Sequence, residues 1–475
     1  MLTETANRDS CFPYWLRVRE FAVPPSMIET ATARRSAGDW AGACAAAGVD
    51  VDLNLRAVAR AHGSALATRI RADLRHLAPD LLRWHMPRIA PDGLLRPGLT
   101  IALARYGTGD REGPRAVQLV VRTPPAWADG GQRISLALWD GSLSGTGARG
   151  HPHPRPGRRF RLDLHRHLWD ARSSDELRAR SGAGPVRPDD RHVLTPEALG
   201  PGPRLYRPAV GRWADEAGIL LRAEGLPPAA AVVVRLGARR RLRLEPPPGA
   251  AHGPPSLVVP AAPGDEGVRA LPVLPDAATW LPPDLDLLRA GEIGADRLHP
   301  LVAAALVPGH PPAASRRTPD RAGEPRPVEC RGDLHRIGLV DGVLAALDHD
   351  PAEIRREELL VALTGTPLPC LRAIDEAHRE PHCLAGVRDR LIHGDTAGAL
   401  AVVEGLLGPD AMLRNGALRD ELEAAARRRV VYGLFRAGLT GGAPGPGRDR
   451  IPPNGSHPRS RSCDRTPRPR LATLR

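Results

Sequence analysis

Fifty-one prolines and 49 glycines in 475 residues limit how far any regular element can run. Proline lacks the backbone donor that helices and sheets use, and glycine loses the most freedom on ordering. The two make up about 21% of the chain, against about 12% in average proteins. Long proline-rich connections are therefore expected between folded pieces. The rest of the composition suits a core: 42% hydrophobic and 25% charged residues fall in the ordinary globular range. The length is about three times that of a single domain, which predicts two or three folded units.

The chain contains no lysine, so all 67 basic residues are arginine. That excludes the phosphate-binding lysine of P-loop proteins, a Schiff-base lysine and typical protein kinases. The formal net charge is +13, of which the segment 441–475, with eight Arg and two Asp, carries +6. Nucleic-acid binding is thus open mainly through this basic tail, with the Arg239-Arg240-Arg241 run as a weaker candidate. No apolar run approaches the ~18 residues of a membrane span and no signal-peptide order is seen, so the expected location is the cytoplasm. Six cysteines without CxxC spacing predict reduced thiols.

The hydrophobic pattern divides the chain. Residues 1–26 read as an extension. A helical unit over 27–94 starts from the capping-box spacing of Ser26 and Glu29, breaks at Gly38-Asp39, and continues from Leu55 to Trp84. A β-rich middle spans 95–310. Its strand-like runs are Leu99–Tyr106, Ala116–Thr123, Arg133–Trp139, Ala230–Leu236, Arg241–Glu245, Ser256–Val259 and Val268–Leu274. It is interrupted by a low-complexity linker around 144–159, a helix candidate at Asp163–Arg180, and a helical pattern at Leu285–Leu306. A linker at 311–327 leads to a hairpin-plus-helix unit, 328–440, in which Asp341-Gly342 fits a type I′ turn between two strands. Residues 441–475 are expected to be disordered. The predicted fold class is α+β and multidomain, with a helical N-terminal unit, a β-rich middle and a mainly helical C-terminal unit carrying one β-hairpin.

Catalytic patterns fail in context. Gly145, Gly147 and Gly150 have dinucleotide spacing, but His151-Pro152-His153-Pro154 leaves no helix to receive a pyrophosphate. Asp163, His165, His167 and Asp170 form a second possible metal group, but His165 and His167 diverge on a helix, and Asp163-His167 and Arg166-Asp170 read as ordinary i,i+4 surface pairs. Leu391-Ile392-His393-Gly394-Asp395 resembles the catalytic segment of aminoglycoside-phosphotransferase-like kinases. Leu400 stands where that family has its Asn metal ligand, so a helix-ending glycine followed by a capping aspartate is the better reading. The same Gly-Asp-x-Ala-Gly-Ala pattern occurs at Gly38–Ala43, where it reads as a second αα-hairpin.

One cluster carries zinc-type donors: Cys330, His335, His349 and Cys370, with His378, His382 and Cys383 further on. The first four flank the predicted hairpin and the helix that follows it. Their spacing lacks the close pairs of ordinary zinc modules, so the expected state is buried cysteines and surface histidines without metal, with zinc as the alternative. The stretch Val328–Cys370, with Cys330-Arg331-Gly332, His335 and Asp348-His349-Asp350, resembles an uncharacterised actinobacterial protein family of unknown function. That resemblance implies a possible association with AAA-type ATPases or von Willebrand A-type proteins as partners. The expected function is a non-catalytic, cytosolic interaction or accessory protein with a protein partner. The alternatives are a metal-dependent enzyme using the Cys/His cluster and an arginine-dependent nucleic-acid binder.

Overall fold

The computed structural model describes residues 11–107, 116–141, 151–184, 206–237, 240–246, 257–260, 268, 270–310, 325–365 and 367–439. The fold is α+β, with helices at both ends and sheets between. Helix α1 (Phe12–Arg17) runs into one π-turn at Val18–Ala22. Within the segment read as an extension, residues 12–22 are therefore helical. The reason is burial: Tyr14, Trp15 and Val18 enter a core, in a run too short to show a helical period in the sequence.

Helix α2 (Pro25–Ser36) begins one residue before the expected cap. Pro25 occupies the first turn, where its missing donor costs nothing, and Ser26 makes no capping bond. Gly38 (φ +79°) ends this hairpin arm, and Asp39 caps α3 (Trp40–Ala46) by accepting from the Gly42 amide at 2.8 Å. The short strand β1 (Val49–Val51) follows. The long pattern from Leu55 to Trp84 is three helices, α4 (Leu55–His62), α5 (Ser64–His76) and α6 (Pro79–His85), broken at Gly63 and before Pro79.

A two-stranded ribbon, β2 (Arg88–Ile89) and β3 (Leu94–Leu95), leads into the meander β4 (Thr100–Tyr106), β5 (Val117–Arg122) and β6 (Ile134–Trp139). The meander is antiparallel, formed from three of the expected strand-like runs, and β1 adds a parallel edge strand against β6, giving the order β1-β6-β5-β4. Helices and meander share one core: Ile70, Leu74 and Leu82 pack with Ile101, Leu119 and Leu136, and the wholly buried Trp169 joins them.

The expected helix at 163–180 is instead three 3-10 turns and a short α7 (Glu176–Arg180). Arginines explain the break. Arg161 takes Asp163 at 2.8 Å, and Arg166 and Arg172 both hold Asp170, whose side chain also accepts from the Arg172 amide. Helix α8 (Trp213–Ala223) packs on an antiparallel sheet of β7 (Val232–Arg235), β8 (Arg241–Glu245) and β9 (Leu257–Pro260). The strand expected at 268–274 reduces to a single bridge, Val233 to Val273, because Pro272 and Pro275 interrupt the ladder. The pattern at 285–306 is likewise split after α9 (Asp276–Thr279) into α10 (Pro283–Ala290) and α11 (Pro300–Leu306).

The C-terminal unit opens with a three-stranded sheet, β10 (Arg326–Cys330), β11 (Asp333–Val340) and β12 (Val343–Ala346). Residues 326 and 327, expected as the end of a linker, belong to β10. Asp341 and Gly342 have φ of +50° and +78°, the left-handed pair a type I′ turn requires. Helices α12 (Pro351–Thr364), α13 (Pro369–Arg379), α14 (Leu384–His393), α15 (Thr396–Leu407) and α16 (Ala417–Arg436) complete it. Its own core includes Ile337, Leu344, Ile374, Val387 and Leu407.

This unit is anchored on the N-terminal body. Tyr432 of α16 donates to Asp50 at 2.7 Å, Arg436 pairs with Asp50 at 3.2 Å and with Asp52, and Arg17 meets Asp389 at 2.7 Å. Among the described residues no helix is long and apolar enough to cross a membrane. The tail 441–475, Cys463, Gly145, Gly147, Gly150 and Arg239 lie outside the described residues.

Candidate metal centre

Cys330 is the last residue of β10 and pairs with Asp333 across a two-residue turn, Arg331-Gly332, whose φ values are +58° and +88°. The tight turn directs β11 back along β10, so that His335 lies opposite Val328. The second turn returns the chain through β12. The Leu347 amide extends the pairing to the Arg336 carbonyl at 2.8 Å, and Asp348 then accepts from the Arg336 amide at 2.8 Å and from its guanidinium at 2.7 Å. These bonds hold the Asp348 carboxyl down to about 2 and orient the next residue, His349, which is buried.

Asp350 caps α12 by accepting from the Ala352 amide at 2.8 Å, with Pro351 in the first turn. That cap starts the helix directly after His349 and brings Glu353 Oε2 to 3.4 Å from His349 Nδ1. Arg331 reaches across to Glu353 at 2.6 Å and Glu357 at 2.5 Å, tying the first turn of the sheet to the same helix. Cys370 comes from the first turn of α13, after Pro369.

The donor atoms of Cys330, His349 and Cys370 all lie within 4.8 Å of one another, and no other such group of three occurs among the described residues. Both cysteines are wholly buried. Burial, with the Cys330 thiol hydrogen-bonded beside it, pushes the Cys370 thiol up to about 11. His335 joins through His349: its Nδ1 is 2.8 Å from His349 Nε2, and the ring centroids are 4.2 Å apart. Three of the four residues singled out in the sequence, Cys330, His349 and Cys370, are thus brought to one place, and His335 adjoins them through His349. His378 and Cys383 remain outside the group: His378 is buried on α13, and Cys383 precedes α14.

The residues suit a small thiophilic cation. Tetrahedral ligands at ~2.0–2.3 Å from zinc stand roughly 3.3–3.8 Å apart, so the donors of Cys330, His349 and Cys370, all within 4.8 Å of one another, need at most a small contraction, while His335 Nδ1 and His349 Nε2, 2.8 Å apart, must separate. Glu353 faces the second nitrogen of His349, the arrangement in which a carboxylate fixes the tautomer of a ligating imidazole. Nothing in the spacing of the Cys and His residues marks that supporting carboxylate.

The other candidates resolve differently. Asp170, His165 and His167 are buried, and the histidine ring centroids are 5.8 Å apart, but each acid is already held by arginine. The i,i+4 pair of Arg166 with Asp170 forms at 2.6 Å, with its carboxylate buried where a surface pair was expected. His165 Nε2 lies 3.2 Å from Glu216. Although burial alone would raise the Glu216 carboxyl, His165, Arg180 and Arg212 hold it well below the usual range. At 391–395, Gly394 (φ +88°) ends α14, and Asp395 accepts from the Gly398 amide at 2.9 Å and from Arg390 at 2.8 Å. This is the helix-hairpin geometry. In the arginine run, Arg241 begins β8, and Arg243 pairs with Glu245.

No family model, no curated protein and no solved structure matches this chain, so the geometry of the site carries the functional reading.

Proposed function

We propose that this is a non-catalytic, cytoplasmic interaction protein whose C-terminal unit is fastened by a structural zinc ion on Cys330, Cys370, His349 and His335. The observation that carries the reading is the meeting of two wholly buried thiols with His349, whose ring is itself paired with that of His335. Two thiolates neutralise the charge of Zn²⁺, and two imidazoles fill the remaining positions. A closed set of four protein ligands leaves no place for substrate or water, which favours a structural role over a hydrolytic one. Cys330 and Cys370, neither of them in a disulfide, fit a reducing compartment. The interaction reading is supported by α12, pinned at the cluster by Arg331, on which Leu359 and Leu363 are 69% and 84% exposed.

The test is elemental analysis of the full-length protein purified without chelator. About one equivalent of zinc per chain is expected, with Cys370→Ser losing it and chelation lowering the melting temperature. A zinc-free protein that unfolds cooperatively and gains no stability from added zinc overturns the proposal.

A further inference from the structure

A cleft of about 1030 Å³, open space at its mouth included, lies where α1, α6 and β2 face the segment around Tyr206 and the turn from α9 into α10. It shares no residue with the metal centre. Two of its properties point to a ligand.

The first is a run of four aromatic rings. Trp15 meets Trp84 at 5.6 Å and Tyr206 at 5.2 Å between centroids, and Tyr206 meets Trp280 at 5.8 Å. A chain with only 3% aromatic residues gathers four of them along one wall. The second is an excess of positive charge, four arginines against one aspartate. Two of these arginines are neutralised within the protein, Arg159 by Asp276 at 2.7 Å and Arg161 by Asp163 and Glu224. Arg88 is not. It is 8% exposed, and its Nη atoms donate to the carbonyls of Gly93 at 2.9 Å and Arg83 at 2.8 Å, which orient the guanidinium but do not cancel its charge. Its Nε has no hydrogen-bond partner, and neither do Trp84 Nε1 and His85 Nε2 beside it in the lining. A buried guanidinium and two buried ring nitrogens left unpaired are costly unless something else satisfies them.

We propose that this cleft binds a small organic anion built on a flat aromatic ring, its carboxylate or phosphate group at Arg88 and its ring against Trp15, Trp84, Tyr206 and Trp280. An inorganic anion leaves the aromatic wall without a role. A neutral apolar compound leaves Arg88 uncompensated. Arg96, exposed at the mouth, adds a second positive charge on the path of entry.

Quenching of tryptophan fluorescence and calorimetry on the full-length protein test this, with adenosine 5′-monophosphate and indole-3-acetate as probes and adenosine, indole and inorganic phosphate as controls. At least one aromatic anion should bind, with its neutral counterpart and inorganic phosphate at least about tenfold weaker. Binding of the monophosphate alone assigns a phosphate head group, and binding of indole-3-acetate alone a carboxylate. Arg88→Met should weaken binding at least about tenfold. Because Arg88 also braces two carbonyls, Arg96→Ser provides a variant at an exposed position, expected to melt with the parent and to bind about threefold more weakly. The proposal fails if neither anion binds at about 5 mM, if the neutral rings bind as tightly as the anions, or if Arg96→Ser and a folded Arg88→Met bind as the parent does.

Discussion

Arg83 donates through Nη2 to the carbonyl of His393, 310 residues further along the chain, at 2.8 Å. Its Nε donates to Ala22 at 2.8 Å and its Nη1 to Gln132 at 2.5 Å. One buried guanidinium thereby ties the π-turn after α1, the approach to β6 and the end of α14. All three partners are carbonyls, and burial pulls the Arg83 pKa down to about 9. Gly394 makes this approach possible: a side chain there would overlap the Gly131 carbonyl oxygen.

Arg83→Met should therefore strand three carbonyls inside the protein. The expected loss is about 3 kcal/mol or more, read as a lower midpoint in urea, together with earlier proteolytic release of a fragment near 325–439. An unchanged midpoint contradicts the bracing role.

Two buried histidines make stability depend on mildly acidic pH. Burial pushes His85 down to about 4, and burial with the nearby Arg88 and Arg83 pushes His393 down to about 3. The unfolded chain takes up a proton on each near pH 6.5, whereas the folded chain stays neutral at these sites until pH 4 or below. Their neutral burial therefore costs nothing extra above about pH 7, and stability falls as pH drops from 6.5 towards 4, by roughly 1.4 kcal/mol per pH unit for each group. Melting temperature against pH should show this slope, and His393→Gln should flatten it. A flat profile from pH 7 to 5 contradicts the assignment.

Within the metal centre the ligands should not be equivalent. Cys330→Ser or His349→Ala should abolish stoichiometric zinc, while Glu353→Gln should keep all four ligands and weaken affinity about 10–100-fold. Because the Cys370 thiol lies at about 11 without metal, adding zinc to the stripped protein should also release protons, measurable in weakly buffered solution.

The two αα-hairpins should respond alike to loss of their caps. Arg34 and Asp39, 3.0 Å apart, and Arg390 and Asp395, 2.8 Å apart, repeat the same bond five residues back from the capping carboxylate. Asp395→Ala, at the buried hairpin, should cost about 1–2 kcal/mol by chemical denaturation. Asp39→Ala, at the exposed one, should cost less. The reverse order contradicts the reading of these residues as caps.

What was legible in the sequence is local. The Asp341-Gly342 turn, the caps at Asp39, Asp350 and Asp395, and the strand Arg241–Glu245 are each written within a few neighbouring residues. The meeting of Cys330, His349 and Cys370 was legible because they flank one hairpin and its following helix. What was hidden depends on distance along the chain. Nothing near Val49–Val51 announces a parallel strand, since its partner β6 begins at Ile134. The aromatic wall draws on residues from Trp15 to Trp280, and the helix expected at 163–180 is broken by arginines whose preference for buried acids outweighs its periodic pattern.

The contact between Tyr432 and Asp50 spans 382 residues. Asp50 is synthesised 382 residues before its hydroxyl partner, so at about 5–20 residues per second the ribosome leaves that carboxylate without Tyr432 for on the order of 20–80 s. Arg83 waits almost as long for the His393 carbonyl. During translation the N-terminal body must therefore persist with its docking face uncovered until α16 closes over it as a clasp.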